Sequence, residues 1–293
     1  NANPPKRWSF SKRAIYQFLT PILPRAIRSL FHFEVFGKEF ADQFPEGKGV
    51  IFCTNHQSHL DGPIIASTLI NPFGCRKFLG FIGSGKAMKE NFLFRSLTLI
   101  GGIPIFRENP KPTLNYVSRS LQEGFAILIT PQGRRIHRTP FHDYFSLTEE
   151  GRTGVGRIVL TTNGEIPVVP LYIRGTAEVL RPGTLKPKFG SYISVSFGEP
   201  LYFHQYSRQD GWSESISDFF PKSREITDKI MKSIRDLFLD TEKHYLNFLE
   251  WKFNTELIKI TISSKKEKEF NRFLHKVACV PPNQIKKFLE LKR

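Results

Sequence analysis

No run of about 18 apolar residues occurs anywhere in the 293-residue chain, so a conventional membrane-spanning helix is not expected. Cysteine is scarce as well. Cys53, Cys75 and Cys279 are odd in number and form no Cys-x-x-Cys pair, which argues against a disulfide framework and fits a reducing compartment. Acidic residues are few beside basic ones, 27 against 43, for a formal charge of +16 and a pI near 9.8. Such a chain favours polyanionic partners: nucleic acid, an anionic membrane face, or phosphorylated ligands and acidic carriers. There is no internal repeat or low-complexity tract, and no signal-peptide pattern opens the chain at Asn1. Phenylalanine, at 28 residues, is unusually abundant.

The chain is organised around Asn55-His56-Gln57-Ser58-His59-Leu60-Asp61, which follows the apolar run Gly49 to Thr54. That run predicts a buried strand whose carboxyl end delivers Asn55 and His56 to the crevice where α/β sheets bind ligands. Pro63 to Ile70 predicts a helix with Asp61 placed to cap it. A strand-to-helix bend brings His56 and Asp61 together. A carboxylate on one imidazole nitrogen fixes the tautomer and leaves the other nitrogen to take a proton from a hydroxyl. The ordinary alternative is a helix cap beside a satisfied histidine. A metal site of His56, His59 and Asp61 lacks zinc-helix spacing and a distant ligand, and Ser58 lacks the glycine-flanked elbow of a nucleophile.

Further strands are expected over Phe33 to Phe36, Arg76 to Ile82, Ile103 to Phe106, Phe125 to Ile129 and Ile166 to Ile173. Tyr192 to Phe197 alternates as a half-buried strand. Helices are expected over Leu93 to Ile100, Leu114 to Glu123, Gly151 to Asn163 (with Gly154 and Gly156 permitting close packing) and Ile226 to Leu249. This alternation predicts an α/β fold, a mostly parallel sheet flanked by helices, over residues 33–205. Before it, residues 1–32 form an amphipathic helical element, interrupted by Pro21 and Pro24, suited either to packing on the core or to a membrane interface. After it, residues 206–293 form a basic, helical C-terminal extension.

Phosphate chemistry is suggested at three places. Gly80 to Ala87 has the glycine and lysine spacing of a P-loop, but Ala87 stands where a hydroxyl must hold magnesium. Arg107 leaves a strand beside glycines. Gly133, Arg134 and Arg135 follow another strand in a Pro-x-Gly turn, a compact anion receptor or a solvated basic loop.

Taken in order, Asn55-His56 with Asp61, Gly102-Ile103-Pro104-Ile105-Phe106-Arg107, Pro131-Gln132-Gly133-Arg134-Arg135 and Val168-Val169-Pro170-Leu171-Tyr172 resemble the four blocks of the glycerolipid acyltransferases with a His-x4-Asp motif, the 1-acylglycerol-3-phosphate acyltransferases among them. The resemblance implies transfer of a fatty acyl group from acyl-CoA or acyl-carrier protein, a co-substrate rather than a cofactor, to a hydroxyl of a glycerophospholipid acceptor. It implies His56 as general base and Asp61 as its orienting partner. Arg107 and Arg135 match positions that bind the acceptor phosphate. Lys86 matches a frequent family lysine, which explains the P-loop spacing more simply. Asn55, Gly133 and Arg134 complete the expected substrate contacts, and no metal is implied. The family's usual third block reads Pro-Glu-Gly-Thr-Arg-Ser; here Gln132, Arg134 and Ile136 replace glutamate, threonine and serine, making the pocket more attractive to anions. Ser58-His59-Leu60-Asp61 also resembles the glycerol-3-phosphate acyltransferase branch. The non-enzymatic alternative is a degenerate basic protein binding lipid or nucleic acid. The lysines after Phe253 form no nucleic-acid recognition motif, which weighs against the latter. The expected setting is peripheral, on the cytoplasmic face of a membrane.

Overall fold

The computed structural model describes residues 22, 24–43, 49–73, 79–90, 98, 101–135, 151–180, 186–207 and 216–259. The expectations for residues 1–21, for most of the Leu93 to Ile100 helix, for Ile136 and for the lysine-rich segment beyond 259 lie outside the described residues.

Seven strands make one sheet: β1 (His32–Phe36), β2 (Val50–Thr54), β3 (Leu79–Ser84), β4 (Gly102–Ile105), β5 (Ala126–Ile129), β6 (Val168–Arg174) and β7 (Tyr192–Phe197). Their spatial order is β1-β7-β6-β2-β5-β3-β4. Every neighbouring pair is parallel except β6 and β7. The helices are α1 (Lys38–Asp42), α2 (Asp61–Phe73), α3 (Gly85–Glu90), α4 (Lys111–Gln122), α5 (Gly154–Thr161), α6 (Thr176–Val179) and α7 (Ile216–Lys259), with a short helical segment over 24–30. The fold is therefore the α/β, mostly parallel sheet flanked by helices that the residue pattern predicts.

The central strands show why such runs read as unbroken apolar stretches. Successive side chains of a strand point to opposite faces. In β2, Ile51 and Cys53 enter one core with α4, α5 and α7, while Val50 and Phe52 enter another with Ile64, Ile65 and Leu69 of α2. Both faces are covered, so both sets must be apolar. Burial pushes the Cys53 thiol well above the ordinary thiol range.

Two local expectations are corrected. β7 is buried along its whole length, not on one face alone. Helix α7 crosses its serine side, where Ser196 and Thr241 share a 2.7 Å hydrogen bond, so polar residues here are packed and not solvated. Of the two glycines in α5, Gly156 alone serves a close approach: a Cβ there would lie 2.0 Å from the Ser223 carbonyl oxygen of α7, whereas nothing lies within 4 Å of one on Gly154. Helix α7 itself, carrying Ile226, Ile230, Met231, Ile234 and Phe238, supplies a large share of one core.

Phe81 and Ile82 lie inside β3, and Gly85 and Lys86 open α3 directly. An extended strand through Gly80 to Gly83 leaves no loop to cradle a phosphate, which disposes of the P-loop spacing.

Candidate active site

The carboxyl ends of β2, β5, β3, β4 and β6 share one edge of the sheet, because these five strands run the same way. All four sequence blocks reach that edge. The chain leaves β2 at Thr54, turns, and enters α2 at Asp61. The turn is closed by Asp61 N–H donating to the Ser58 carbonyl at 3.2 Å and Leu60 N–H to Ser58 Oγ at 3.3 Å.

Inside this turn, His56 Nδ1 lies 2.8 Å from Asp61 Oδ2. The same oxygen accepts the backbone N–H groups of Gln57 at 2.7 Å and Ser58 at 2.9 Å. Asp61 therefore caps the turn that precedes its helix, and stands as the first helical residue instead of the N-cap expected of it. A negative charge in a first helical turn also meets the positive end of the helix dipole. Thr176, fully buried, donates its hydroxyl proton to Asp61 Oδ1 and lies 3.3 Å from Gln57 Oε1. A hydroxyl has one proton to give, and the nearer, charged oxygen takes it.

The consequence is directional. Asp61 is 2% exposed and His56 26%, so the pair has a buried anchor and an accessible ring. A carboxylate accepts only, so Nδ1 carries the proton and Nε2 is the basic nitrogen left to meet a hydroxyl. Ser58 is buried, with its hydroxyl serving the turn, and is no nucleophile.

Asn55, expected at the substrate, is committed to the fold. Its Nδ2 donates to the Ile173 carbonyl at 2.9 Å and its Oδ1 accepts the Ile173 N–H at 2.8 Å, stitching the end of β2 to β6.

The arginines gather on the β5 side. Gly133, at φ 62°, closes a turn by donating its N–H to the Thr130 carbonyl at 3.0 Å. Arg152 donates its N–H to the Pro131 carbonyl at 2.8 Å and lays its side chain over Gly133, so that a Cβ there would be 2.7 Å from Arg152 Cδ and Nε. Partial burial, with Arg107 and Arg134 nearby, lowers the Arg152 guanidinium from its ordinary range. Three like charges drawn together at one turn favour an anion. Arg135 Nη1 donates to His59 Nε2, tying this group to the turn that carries His56. With an arginine donating to it, Nε2 of His59 serves as an acceptor. Lys86 is exposed at the start of α3, after β3.

Thr176 and Arg152 are absent from the sequence reading. A Gly-Thr pair just past a buried strand is the signal for Thr176. For Arg152 no local signal exists, since its approach to Gly133 follows from the return of the chain between β5 and α5.

One further buried charge stands at this edge. Arg174, the last residue of β6, is 2% exposed and donates Nε to Glu242 of α7 at 2.9 Å, with Glu178 at 3.5 Å and the Tyr245 ring centroid 3.2 Å from its Cζ. Burial works against its charge, but Glu242, Tyr245 and Glu178 more than offset that, and the guanidinium stays ionised.

The family model described as Acyltransferase matches residues 33–174. No curated protein sequence matches the chain. A similar solved structure is that of the 1-acyl-sn-glycerophosphate (LPA) acyltransferase PlsC from Thermotoga maritima, 18% identical, with 76% of this chain and 81% of that chain covered at a TM-score of 0.48. The span matched by the Acyltransferase model begins in β1, ends in β6, and contains His56, Asp61 and the strand-end arginines.

Proposed function

We propose that this acyltransferase moves a fatty acyl group from an acyl thioester to a hydroxyl of a lysophospholipid or glycerol phosphate. The observation that carries the reading is the His56–Asp61 pair, fixed by three further donors on Asp61 and set on the same sheet edge as Arg107, Arg134, Arg135 and Arg152. In this mechanism Nε2 of His56 removes the acceptor's hydroxyl proton as its oxygen attacks the thioester carbonyl carbon. The tetrahedral intermediate then collapses, the C–S bond breaks, and the imidazolium returns the proton to the leaving thiolate. A thioester is already activated, so a base and good placement suffice without a covalent enzyme intermediate.

The arginine group binds the acceptor's phosphate. Arg134, in place of the family's usual threonine, and Gln132, in place of its glutamate, add positive charge to that receptor and favour a more anionic acceptor. Acyl-CoA or acyl-carrier protein is the donor. The enzyme works peripherally at the cytoplasmic face of an anionic membrane, with residues 1–32 as its amphipathic element; cysteine usage and charge support this setting. Among the described residues no helix is long and apolar enough to cross a membrane.

The test is acyl transfer from labelled acyl-CoA, and from acyl-carrier protein, to glycerol 3-phosphate and several lysophospholipids, with the parent chain beside His56→Ala. Product that disappears in the variant supports the base and names the acceptor. Product made equally by both removes His56 from the reaction.

A further inference from the structure

The proposed base and the arginine receptor stand on neighbouring strands that part just before the site. β2 and β5 pair from Val50 with Ala126 to Cys53 with Ile129. Beyond that last pair one chain enters the turn that carries His56, and the other the loop that carries Arg134 and Arg135. The ladder fixes their separation only as far as Cys53 and Ile129. His59 and Arg135 lie equally far along the sequence beyond those two residues, and there the chains meet again: Arg135 Nη1–H donates to His59 Nε2.

Each end of this contact is itself held. His59 sits between Ser58, whose N–H donates to Asp61 Oδ2 at 2.9 Å, and Leu60, whose N–H donates to Ser58 Oγ at 3.3 Å. A pull on His59 is therefore a pull on the turn that sets Asp61 against His56. On the other side, the loop is fixed by Gly133 N–H on the Thr130 carbonyl at 3.0 Å and by Arg152 N–H on the Pro131 carbonyl at 2.8 Å.

The two adjacent arginines face different company. Arg107 and Arg134 are the charges that press on the Arg152 guanidinium, so Arg134 belongs with the anion receptor. Arg135 lies on the His56 turn instead. A guanidinium keeps N–H groups to spare after one hydrogen bond, so the contact with His59 does not by itself bar Arg135 from a phosphate. The sorting comes from placement: one arginine converges with two other cations, and its neighbour bridges the gap between two loops.

We propose that Arg135 is a positioning residue, which through His59 straps the arginine loop to the His56 turn and sets the spacing between phosphate receptor and base. Arg134, with Arg107 and Arg152, then takes the acceptor's phosphate. The proposal rests on the acyl-transfer reading for its chemistry, and it reverses the part that the sequence resemblance implies for Arg135. Transfer is sensitive to this spacing, because a misplacement of about 1 Å between reacting atoms costs about 100-fold in rate.

The experiment is steady-state kinetics of the full chain on whichever of glycerol 3-phosphate and the lysophospholipids the parent acylates. Arg135→Met, His59→Phe and their double variant form a cycle, with Arg134→Met and His59→Gln beside it. His59 and Arg135 are exposed, so these changes leave the core alone, and thermal melts verify that each variant is folded. Arg135→Met and His59→Phe should each lower kcat about three- to tenfold, the size of an exposed contact with a charged donor, and keep the acceptor KM within about threefold. The double variant should be no slower than either single one, since both remove the same contact. His59→Gln, whose side-chain carbonyl can accept from Arg135, should hold most of the parent's rate. Arg134→Met should instead raise the acceptor KM about three- to tenfold with kcat nearly unchanged. An Arg135→Met enzyme whose loss falls on KM would overturn the proposal and return the phosphate to Arg135. Losses that multiply in the double variant, or an Arg135→Met enzyme with the parent's kinetics, would overturn it too. The two readings fail distinguishably: a parent that acylates no acceptor sinks the acyl-transfer reading and this role with it, whereas an active parent with any of those three results sinks this role alone.

Discussion

Replacing Thr176 by valine removes one hydrogen bond from the His56–Asp61 pair, the proposed base and its anchor, and almost nothing else. The two side chains have nearly the same shape, and Thr176 is fully buried, so packing is retained while the hydroxyl is lost. Asp61 keeps three donors, His56 Nδ1–H and the N–H groups of Gln57 and Ser58, but all three fall on Oδ2. Oδ1 alone depends on Thr176. Without that anchor the carboxylate plane can turn about the Oδ2 contacts, and the imidazole it steers turns too. A hydrogen bond to a charged group is worth about 1.5–3 kcal/mol, which bounds the loss in kcat at about 10- to 150-fold. Steady-state kinetics on Thr176→Val should show kcat reduced within that bound and the acceptor KM changed by less than about threefold, because Thr176 holds Asp61 and not the acceptor. Thr176→Ser, which restores the hydroxyl, should recover most of the rate. A Thr176→Val enzyme that is less stable yet has the parent's kcat would refute the reasoning and leave Thr176 a structural residue. A change carried wholly by KM would refute it as well.

Arg152→Met should raise the KM of a phosphate-bearing acceptor about three- to tenfold with kcat nearly unchanged, the modest size reflecting a partly solvated site; kinetics on the acceptor found first would decide it. Gly156→Ala should cost about 1–3 kcal/mol in urea unfolding, since the new Cβ meets the Ser223 carbonyl of α7 and backbone must move. Burial raises the Glu242 carboxyl above its ordinary 4.5, with Arg174 only partly opposing. The folded chain then holds that proton more tightly than the unfolded one, so the associated stability is complete below the ordinary value and declines as pH rises through the raised one. Urea midpoints measured from about pH 4 to pH 8 should fall less steeply on that limb in Glu242→Gln than in the parent.

What the sequence discloses of this fold follows the physics of burial on two faces. Val50 to Cys53, Ala126 to Ile129 and Val168 to Ile173 are legible because a strand covered on both sides is apolar on both faces. Tyr192 to Phe197 is legible as a strand but not in its setting: Ser194 and Ser196 imitate a solvated face, and only the far-off Thr241 shows that the face is packed. The antiparallel turn of β7 leaves no mark on local patterning, since period-two alternation is the same in either direction. At the site, His56 and Asp61 are five residues apart, and a strand-to-helix bend suffices to pair them. Asn55 with Ile173, Asp61 with Thr176, and Gly133 with Arg152 are joined across strands or by long returns of the chain, and no local period encodes such contacts.

The exit of β6 explains why a block without evident chemistry accompanies the other three. Its consecutive residues each hold something different. Ile173 presents its backbone to both amide atoms of Asn55 and sets the end of β2. Arg174 is locked from the other side by Glu242 and the Tyr245 ring of α7. Gly175, at φ 90°, lets the chain turn where any Cβ would lie 2.0 Å from the Tyr192 carbonyl oxygen. Thr176 then reaches Asp61. A buried ion pair of this kind contributes little net stability, because desolvation consumes most of the attraction, but it is costly to break from one side. Its effect here is positional: α7 is fastened to β6 one residue from the brace on Asn55 and two from the anchor of Asp61. The geometry of the His56–Asp61 pair is therefore set by the packing of a helix more than 180 residues further along the chain, which is why this turn cannot be understood from its own seven residues.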